Sequence, residues 1–266
     1  KPRSIKFRVH GQRPYQVVLV HGGPGAAGEM APVAQTLASD WGVLEPFQTA
    51  DSVQGQVNEL KEQLQSHADC PVILIGFSWG AWLSYLMAAY YPELVEKLIL
   101  ISSGPFETHY AEDIQKTRMN RLNEHDKAEV ENIIQQLSES NVANQNQLFS
   151  RFGSLVSKAD AYDPIANETE DEMIYNIHIF HEVWPEAAAL RESSRLLKIG
   201  KQIQCPVVAI HGDYDPHPVE GVRKPLSQVL TDFKFVLLEK CGHKPWIEKQ
   251  ARERFFQVLR DELKVS

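Results

Sequence analysis

Short apolar runs alternate with stretches of helical periodicity along the first hundred residues. A strand that is covered on both faces carries apolar side chains at successive positions, so such runs predict strands of a buried sheet. The predicted strands cover residues 5–9, 16–21, 43–47, 71–76 and 98–102. The predicted helices between them cover residues 29–39, from Asp51 or Ser52 to Leu64, and 79–91.

The pattern changes after Gly104-Pro105. Residues 106–197 are rich in Gln, Asn and Glu and have almost entirely helical periodicity, and strands then return at 205–211 and 233–238. We predict a helix between these two strands and a last amphipathic helix over 245–263. The alternation favours an α/β fold with a mostly parallel, doubly wound sheet. We therefore predict a core domain of residues 1–104 and 198–266, with a helical cap of residues 105–197.

Composition and charge narrow the class of protein. The 266 residues are 43% hydrophobic and carry a formal net charge of −8, which disfavours nucleic acid and an anionic membrane surface as partners. No apolar run approaches the ~18 residues that a spanning helix needs. Cys70, Cys205 and Cys241 fit neither a disulfide framework nor a zinc pattern, so we expect a cytoplasmic protein. The sequence does not indicate an oligomeric state.

The segment Gly76-Phe77-Ser78-Trp79-Gly80 fits the pattern G-x-S-x-G. It lies directly after a predicted buried strand and directly before a predicted helix, the context of a nucleophile elbow. The sharp turn needs small residues on both sides, and it lifts the serine oxygen clear of the sheet. Ser78 is therefore the candidate nucleophile.

A serine hydroxyl needs a base, and the base needs an orienting group. His243 is the candidate base because it lies in the loop between the last predicted strand and the last predicted helix. Asp213 and Asp215 follow the strand at 205–211, and both remain candidates for the acid. We favour Asp215, since it lies further into the loop and can turn back towards His243. All these positions lie at the carboxyl edge of one parallel sheet, where such sheets place their sites.

The glycine-rich segment at residues 21–25 reads His-Gly-Gly-Pro-Gly and follows a central predicted strand. Glycines let the backbone approach a ligand closely. We predict that the N–H groups of Gly23 and Trp79 form an oxyanion hole. Phe77, Trp79 and Trp184 are candidates for the apolar wall of a pocket for a small-molecule substrate.

These motifs resemble the α/β-hydrolase superfamily over essentially the whole chain, and the His-Gly-Gly-Pro-Gly loop is most similar to the proline iminopeptidase-like branch. The resemblance implies a lid inserted after the sixth strand and a Gly23-Pro24 bond that is often cis. It also implies that an acidic residue of the cap binds a substrate amine, for which Glu186 is the candidate. Residues 43–51 depart from that branch, because they lack its Asp-Gln-Arg-Gly-x-Gly-x-Ser segment.

The sequence thus predicts a serine hydrolase that cleaves a small carboxylic ester, thioester or amide, with no metal and no organic cofactor. Three alternatives stay open. They are an aminopeptidase that uses Glu186, a hydrolase of carbon–carbon bonds in diketones, and a ligand-binding protein that kept the fold without turnover.

Overall fold

A computed structural model describes residues 6–139, 143–166 and 173–264. Its strands are β1 (Phe7–His10), β2 (Tyr15–Val20), β3 (Ala26–Ala27), β4 (Gly42–Pro46), β5 (Val72–Phe77), β6 (Val95–Ile101), β7 (Ile174–Tyr175), β8 (Val207–Gly212) and β9 (Phe233–Leu238). Its α-helices are α1 (Ala31–Leu37), α2 (Val53–His67), α3 (Trp79–Tyr90), α4 (Ile114–Arg121), α5 (Glu124–Ser138), α6 (Gln145–Asp160), α7 (Ile177–Glu192), α8 (Arg195–Lys198), α9 (Glu220–Val229) and α10 (Arg252–Lys264). Ile5, where the first predicted strand begins, lies outside the described residues.

Seven strands form one sheet in the order β1-β4-β2-β5-β6-β8-β9. The edge strand β1 pairs antiparallel with β4, and the other neighbours are parallel. The chain runs outward from β2 to β4 and then crosses back to β5, so the strand order reverses between β2 and β5. Open α/β sheets bind ligands at such a reversal, beyond the carboxyl ends of the strands. The predicted α/β fold with a mostly parallel, doubly wound sheet is confirmed.

Helices cover both faces of this sheet, and the apolar side chains of the strands are buried beneath them. In β5, Leu74 points to the side covered by α2 and α3, whereas Ile73 and Ile75 point to the side covered by α1 and α10. This alternation follows from the two-residue period of a strand. The two apolar layers hold the carboxyl ends of the strands at fixed positions, and the loops that leave those ends form the site.

The chain between β6 and β8 is mainly helical, as predicted, and it contains α4 to α8 and β7. Part of it has a small apolar cluster of its own, made by Leu122, Val130, Ile133, Leu155 and Ala159. β6 is the sixth strand of the chain but the fifth of the main sheet, because β3 pairs with β7 in a separate two-stranded sheet. The division into a core and a cap at residues 104 and 197 remains a prediction.

The last helix begins later than the sequence pattern indicates, so the predicted start at Pro245 was wrong. Residues Pro245–Ile247 form a single 3₁₀ turn, and α10 begins only at Arg252. Glu248 interrupts the helix because its buried carboxylate accepts hydrogen bonds from the backbone N–H groups of Gly242, Tyr162 and Asp163. In the described part of the chain, no helix combines the length and apolar character needed to cross a membrane.

Candidate active site

Ser78 lies at the junction of β5 and α3 in a strained backbone conformation, with φ 54° and ψ −116°. Non-glycine residues rarely adopt a positive φ, and strain of this kind is concentrated at functional sites. The Ser78 N–H donates to the carbonyl oxygen of Ile101 at 3.0 Å, which ties the turn to β6. A side chain at Gly76 would collide with the backbone of Gly80, and one at Gly80 would collide with the backbone of Val20. Both glycines of the motif are therefore required by close packing.

The structure brings His243 to Asp215 across two neighbouring loops. Asp215 lies in the turn after β8, His243 lies in the loop after β9, and His243 Nδ1 donates to Asp215 Oδ2 at 2.9 Å. Asp213, the alternative acid, instead accepts the backbone N–H of Cys241 at 3.1 Å. The two aspartates thus have different partners, and Asp215 is the one that contacts the imidazole.

Asp215 has a second histidine partner, which the sequence pattern did not indicate. Its Oδ1 atom accepts hydrogen bonds from both the backbone N–H of His217, at 3.0 Å, and the ring Nδ1 of His217, at 2.8 Å. The ring of His217 stacks on that of His243, with centroids 4.6 Å apart. His211 Nε2 in turn donates to the carbonyl oxygen of His217 at 2.7 Å. Both carboxylate oxygens of Asp215 are therefore held in place.

The charges in this cluster shift the pKa values in defined directions. Burial favours the neutral form of Asp215, but His243, His217 and His211 face it and hold its pKa well below the usual range. Burial also opposes protonation of His243, yet the adjacent carboxylate outweighs it and raises the pKa of that imidazole. For His217 burial prevails and lowers the pKa to about 4. At neutral pH, Asp215 is ionised and His217 is neutral.

Asp215, His217 and His243 also have the donor atoms of a metal site, because one ligand atom from each lies within 4.8 Å of the others. In this structure those atoms are hydrogen-bonded to each other, because Asp215 accepts from Nδ1 of both histidines. A metal ion would have to displace these bonds.

The glycine-rich loop after β2 is held by the side chains of His21 and Glu29. His21 is fully buried, its Nδ1 donates to the carbonyl oxygen of Gly22 at 2.7 Å, and its Nε2 accepts the backbone N–H of Gln48 at 2.9 Å. Glu29 accepts the N–H of Gly22 at 2.7 Å. These bonds fix the loop beside Ser78.

Two backbone N–H groups beside Ser78 have no acceptor among the described residues. One belongs to Gly23, which has a φ of 113° and precedes a cis peptide bond to Pro24, as the resemblance implied. The other belongs to Trp79 at the first position of α3, where the partial positive charge of a helix terminus lies. Both residues line the same cavity as Ser78 and His243.

Residues 48–250 match the family model described as alpha/beta hydrolase fold. The chain belongs to the α/β hydrolase fold family. This membership supports the prediction that it is a hydrolase enzyme. No curated protein sequence matches the chain at a significant level.

Solved structures with low sequence identity share the fold of this α/β hydrolase. The crystal structure of VinJ has a TM-score of 0.70 and 19% identity, and the alignment covers 97% of this chain and 94% of VinJ. CarC, a serine hydrolase involved in carbazole degradation, has a TM-score of 0.63 and 16% identity over 98% of this chain and 94% of its own. A thermophilic esterase from Thermogutta terrifontis has a TM-score of 0.62 and 18% identity over 97% and 92% of the two chains.

The cavity of this hydrolase has a volume of about 500 Å³ and lies between the strand ends and the inserted helices. Most of its large side chains are aromatic. Phe77, Trp79 and Trp184, which the sequence predicted for the wall, line it, as do Trp82, Phe149, Phe152, Tyr175, Phe180 and His217. The rings of Trp82 and Trp184 stack on each other, with centroids 5.8 Å apart. An apolar group of modest size fits such a wall.

The structure does not bring Glu186 to the cavity. Its side chain is exposed on α7 and accepts the backbone N–H of Val53 at 3.0 Å, at the first residue of α2. A carboxylate there satisfies one of the unpaired N–H groups at a helix start and interacts favourably with the helix dipole. The acidic residues that line the cavity are Glu29 and Asp160, neither of which the sequence pattern singled out.

Proposed function

We propose that this chain is a serine hydrolase that cleaves carboxylic esters, thioesters or amides through an acyl-enzyme. The observation that carries the proposal is the buried hydrogen bond between Asp215 and His243, beside the strained Ser78 in one aromatic cavity. In this arrangement an ionised carboxylate orients a histidine, and the histidine faces the same cavity as a serine on a sharp strand-to-helix turn.

In the proposed reaction, Ser78 Oγ attacks the carbonyl carbon and its proton passes to Nε2 of His243. Asp215 holds the other ring nitrogen as a donor and stabilises the imidazolium. The unpaired N–H groups of Gly23 and Trp79 bind the oxyanion of the tetrahedral intermediate. His243 then gives its proton to the leaving group, and the acyl group stays on Ser78. Water, deprotonated by His243, attacks this ester and releases the acid.

The cavity favours substrates with an apolar or aryl group over large polar ones. The same residues would also suit hydrolysis of a carbon–carbon bond in a diketone, in which a carbanion replaces the alkoxide or amine as leaving group. We place ester and thioester cleavage first, since these bonds need only the groups named above. Cys70, Cys205 and Cys241 are free thiols in the structure, and a cytoplasmic location remains a prediction.

An aminopeptidase is the second candidate, and one observation favours it. Glu29 lies in the cavity wall, and its carboxylate touches the loop that carries Gly23, so a substrate ammonium could bind close to the scissile bond. Glu186 does not serve this purpose from its exposed position on α7. A peptidase built on this cavity would therefore depend on Glu29.

A rate panel with matched variants tests the proposal. We would compare p-nitrophenyl esters of increasing chain length with Pro-, Ala- and Leu-p-nitroanilides, and label the protein with a fluorophosphonate. Ser78→Ala should abolish both turnover and labelling. Ser84→Ala is the control, because Ser84 lies on α3 as well and its hydroxyl has no hydrogen-bond partner in the described structure.

The outcomes separate the candidates. Ester turnover that is lost in Ser78→Ala and kept in Ser84→Ala supports the proposal. Anilide turnover that needs a free amine and is lost in Glu29→Gln would support the aminopeptidase. A wild-type protein that neither turns over any of these compounds nor reacts with the fluorophosphonate would contradict the proposal and favour a ligand-binding protein.

A further inference from the structure

Arg191 is a charged side chain in the cavity wall that the proposed reaction does not use. It lies in the last turn of α7 and lines the cavity together with Trp82 and Trp184. Its guanidinium carbon is 5.4 Å from the ring centroid of Trp82 and 5.9 Å from that of Trp184. Cation–π contact with two stacked rings holds the guanidinium in one place.

No acidic side chain in the described structure pairs with Arg191. Its Nε atom is buried and has no hydrogen-bond acceptor, and burial lowers its pKa. Arg191 as a whole is only half-buried, but a buried polar atom such as its Nε is normally hydrogen-bonded. An unsatisfied N–H beside a charge without a carboxylate partner, at the wall of a ligand cavity, indicates that the partner is the ligand.

The other arginine of the cavity provides a contrast. Arg118 donates to both carboxylate oxygens of Asp160, at 2.8 and 2.9 Å, so its charge is already neutralised. Glu29, the remaining acidic side chain of the described wall, accepts the N–H of Gly22. Lys244, the third cation of the wall, has no carboxylate partner among the described contacts either, but of these three side chains only Arg191 has a buried N–H without an acceptor.

Arg191 and His243 contact different side chains of the cavity wall. His243, which protonates the leaving group in the proposed reaction, has Phe77 and His217 as ring neighbours. Arg191 instead contacts Trp82 and Trp184. Arg191 therefore shares none of these ring contacts with the proposed base.

We propose that Arg191 is a specificity-determining residue that binds a carboxylate of the substrate. The planar guanidinium matches the geometry and the single charge of a carboxylate. The half-esters of dicarboxylic acids combine such a carboxylate with an ester bond. The role in substrate specificity rests on the proposed function, whereas the anion site rests on the cavity alone.

The binding test separates these two claims because it needs no turnover. In a Ser78→Ala background, we would titrate monomethyl adipate and its neutral counterpart dimethyl adipate, and follow tryptophan fluorescence and binding heat. The monoester should bind more tightly than the diester. Arg191→Gln should weaken monoester binding about 10- to 100-fold, since hydrogen bonds to charged groups contribute that much, and should leave diester binding unchanged. Arg195→Gln, at an exposed arginine four residues on, should change neither.

Kinetics then test the role in substrate specificity. The mono-p-nitrophenyl ester of adipic acid should have a higher kcat/KM than methyl p-nitrophenyl adipate, and Arg191→Gln should remove this preference. Equal losses for charged and neutral ligands in the binding test would overturn the proposal and make Arg191 a packing residue. If inorganic phosphate displaced monomethyl adipate, and if this displacement required Arg191, the choice of a carboxylate as the ligand would be overturned. A preference that persists in Arg191→Gln would overturn the role of Arg191 in substrate specificity while the proposed hydrolase activity stands.

Discussion

Asp215 determines the electrostatics of the candidate site because both of its oxygens accept hydrogen bonds from imidazoles. Oδ2 receives His243 and Oδ1 receives His217. His217 lies in the loop after β8 and His243 in the loop after β9. A single charge therefore orients two rings from different loops, and these rings also stack on each other. The charge of Asp215 raises the pKa of His243, and the pH dependence of the enzyme should report this shift.

We expect kcat/KM for a p-nitrophenyl ester to rise with pH as His243 loses its proton, because only the neutral imidazole accepts the proton of Ser78. Asp215 raises the pKa of His243 above its ordinary value of 6.5, so activity should be lost as the pH falls through a midpoint above 6.5. Asp215→Asn removes the charge that raises this pKa. It should lower kcat/KM by a factor on the order of 10³–10⁴ and move the midpoint to lower pH.

Asp213→Asn is the matched control, because that side chain accepts only the Cys241 N–H among the contacts described and does not reach His243. It should keep the wild-type midpoint. A midpoint that moves in Asp213→Asn but not in Asp215→Asn would reverse the assignment of the acid.

At the residue scale, the sequence predicted those site residues that lie in short local motifs. Ser78 and His243 were predicted because the turns that carry them have short motifs next to strands. His217 and Arg191 were not singled out, since their importance comes from ring contacts with His243 and Trp82, which are far from them in the chain. Glu186 was singled out by resemblance, yet it lies outside the cavity because α7 turns that face towards the start of α2.

At the scale of elements, buried strands were predicted well and the last helix was not. Strand β9 has the predicted bounds, since six residues of apolar-rich sequence between turns leave few alternatives. Helix α10 has apolar positions with helical spacing back to Pro245, but the carboxylate of Glu248 binds backbone groups in the segment before β7. A tertiary contact of this kind overrides periodicity, and no local signal announces it.

The junction of β5 and α3 depends on the absence of a side chain at Gly80. A Cβ atom there would meet the carbonyl oxygens of Val20 and His21, at the end of β2. We expect Gly80→Ala to push α3 away from the glycine-rich loop, which separates Ser78 from the Gly23 N–H. The variant should lose about 1–3 kcal/mol of stability, as overpacked sites do, and kcat/KM should fall about 10- to 100-fold.

Thermal unfolding, circular dichroism and the rate of fluorophosphonate labelling check this prediction together. A native dichroism spectrum with slow labelling would show that the turn is displaced within a folded protein. Wild-type labelling and wild-type turnover in Gly80→Ala would contradict the close packing on which the interpretation of the turn rests.

At the scale of the whole molecule, the inserted segment is tied to the loop that carries His243. The guanidinium of Arg118, on α4, makes a two-pronged ion pair with Asp160 at the end of α6. The backbone oxygen of Asp160 accepts the N–H of His243 at 3.1 Å. Gly242 is required at this contact, since any side chain would collide with the same oxygen. The helices between β6 and β8 therefore both line the cavity and help to place His243, the proposed base.

This arrangement predicts strong energetic coupling within the Arg118–Asp160 pair. The side chains of Arg118 and Asp160 are 18% and 4% exposed, so removing one partner leaves a largely buried charge without compensation. Arg118→Met alone should cost about 3–5 kcal/mol, and Asp160→Leu alone should cost a similar amount. The double variant should lose much less than the sum, because the desolvation penalty disappears with both charges. Urea unfolding of the four proteins measures the coupling.

The double variant also connects stability to catalysis. Asp160→Leu keeps the backbone oxygen that accepts the N–H of His243. The double variant, which has neither charge, should therefore regain much of the kcat/KM that Arg118→Met alone loses. Glu124→Gln, at the exposed pair with Lys127, is the control and should leave the unfolding midpoint unchanged, because surface pairs contribute little. Additive losses in the double variant would mean that the two side chains act independently. In that case the ion pair would not be what holds the helices against the His243 loop, and the backbone bond from His243 would have to carry that contact.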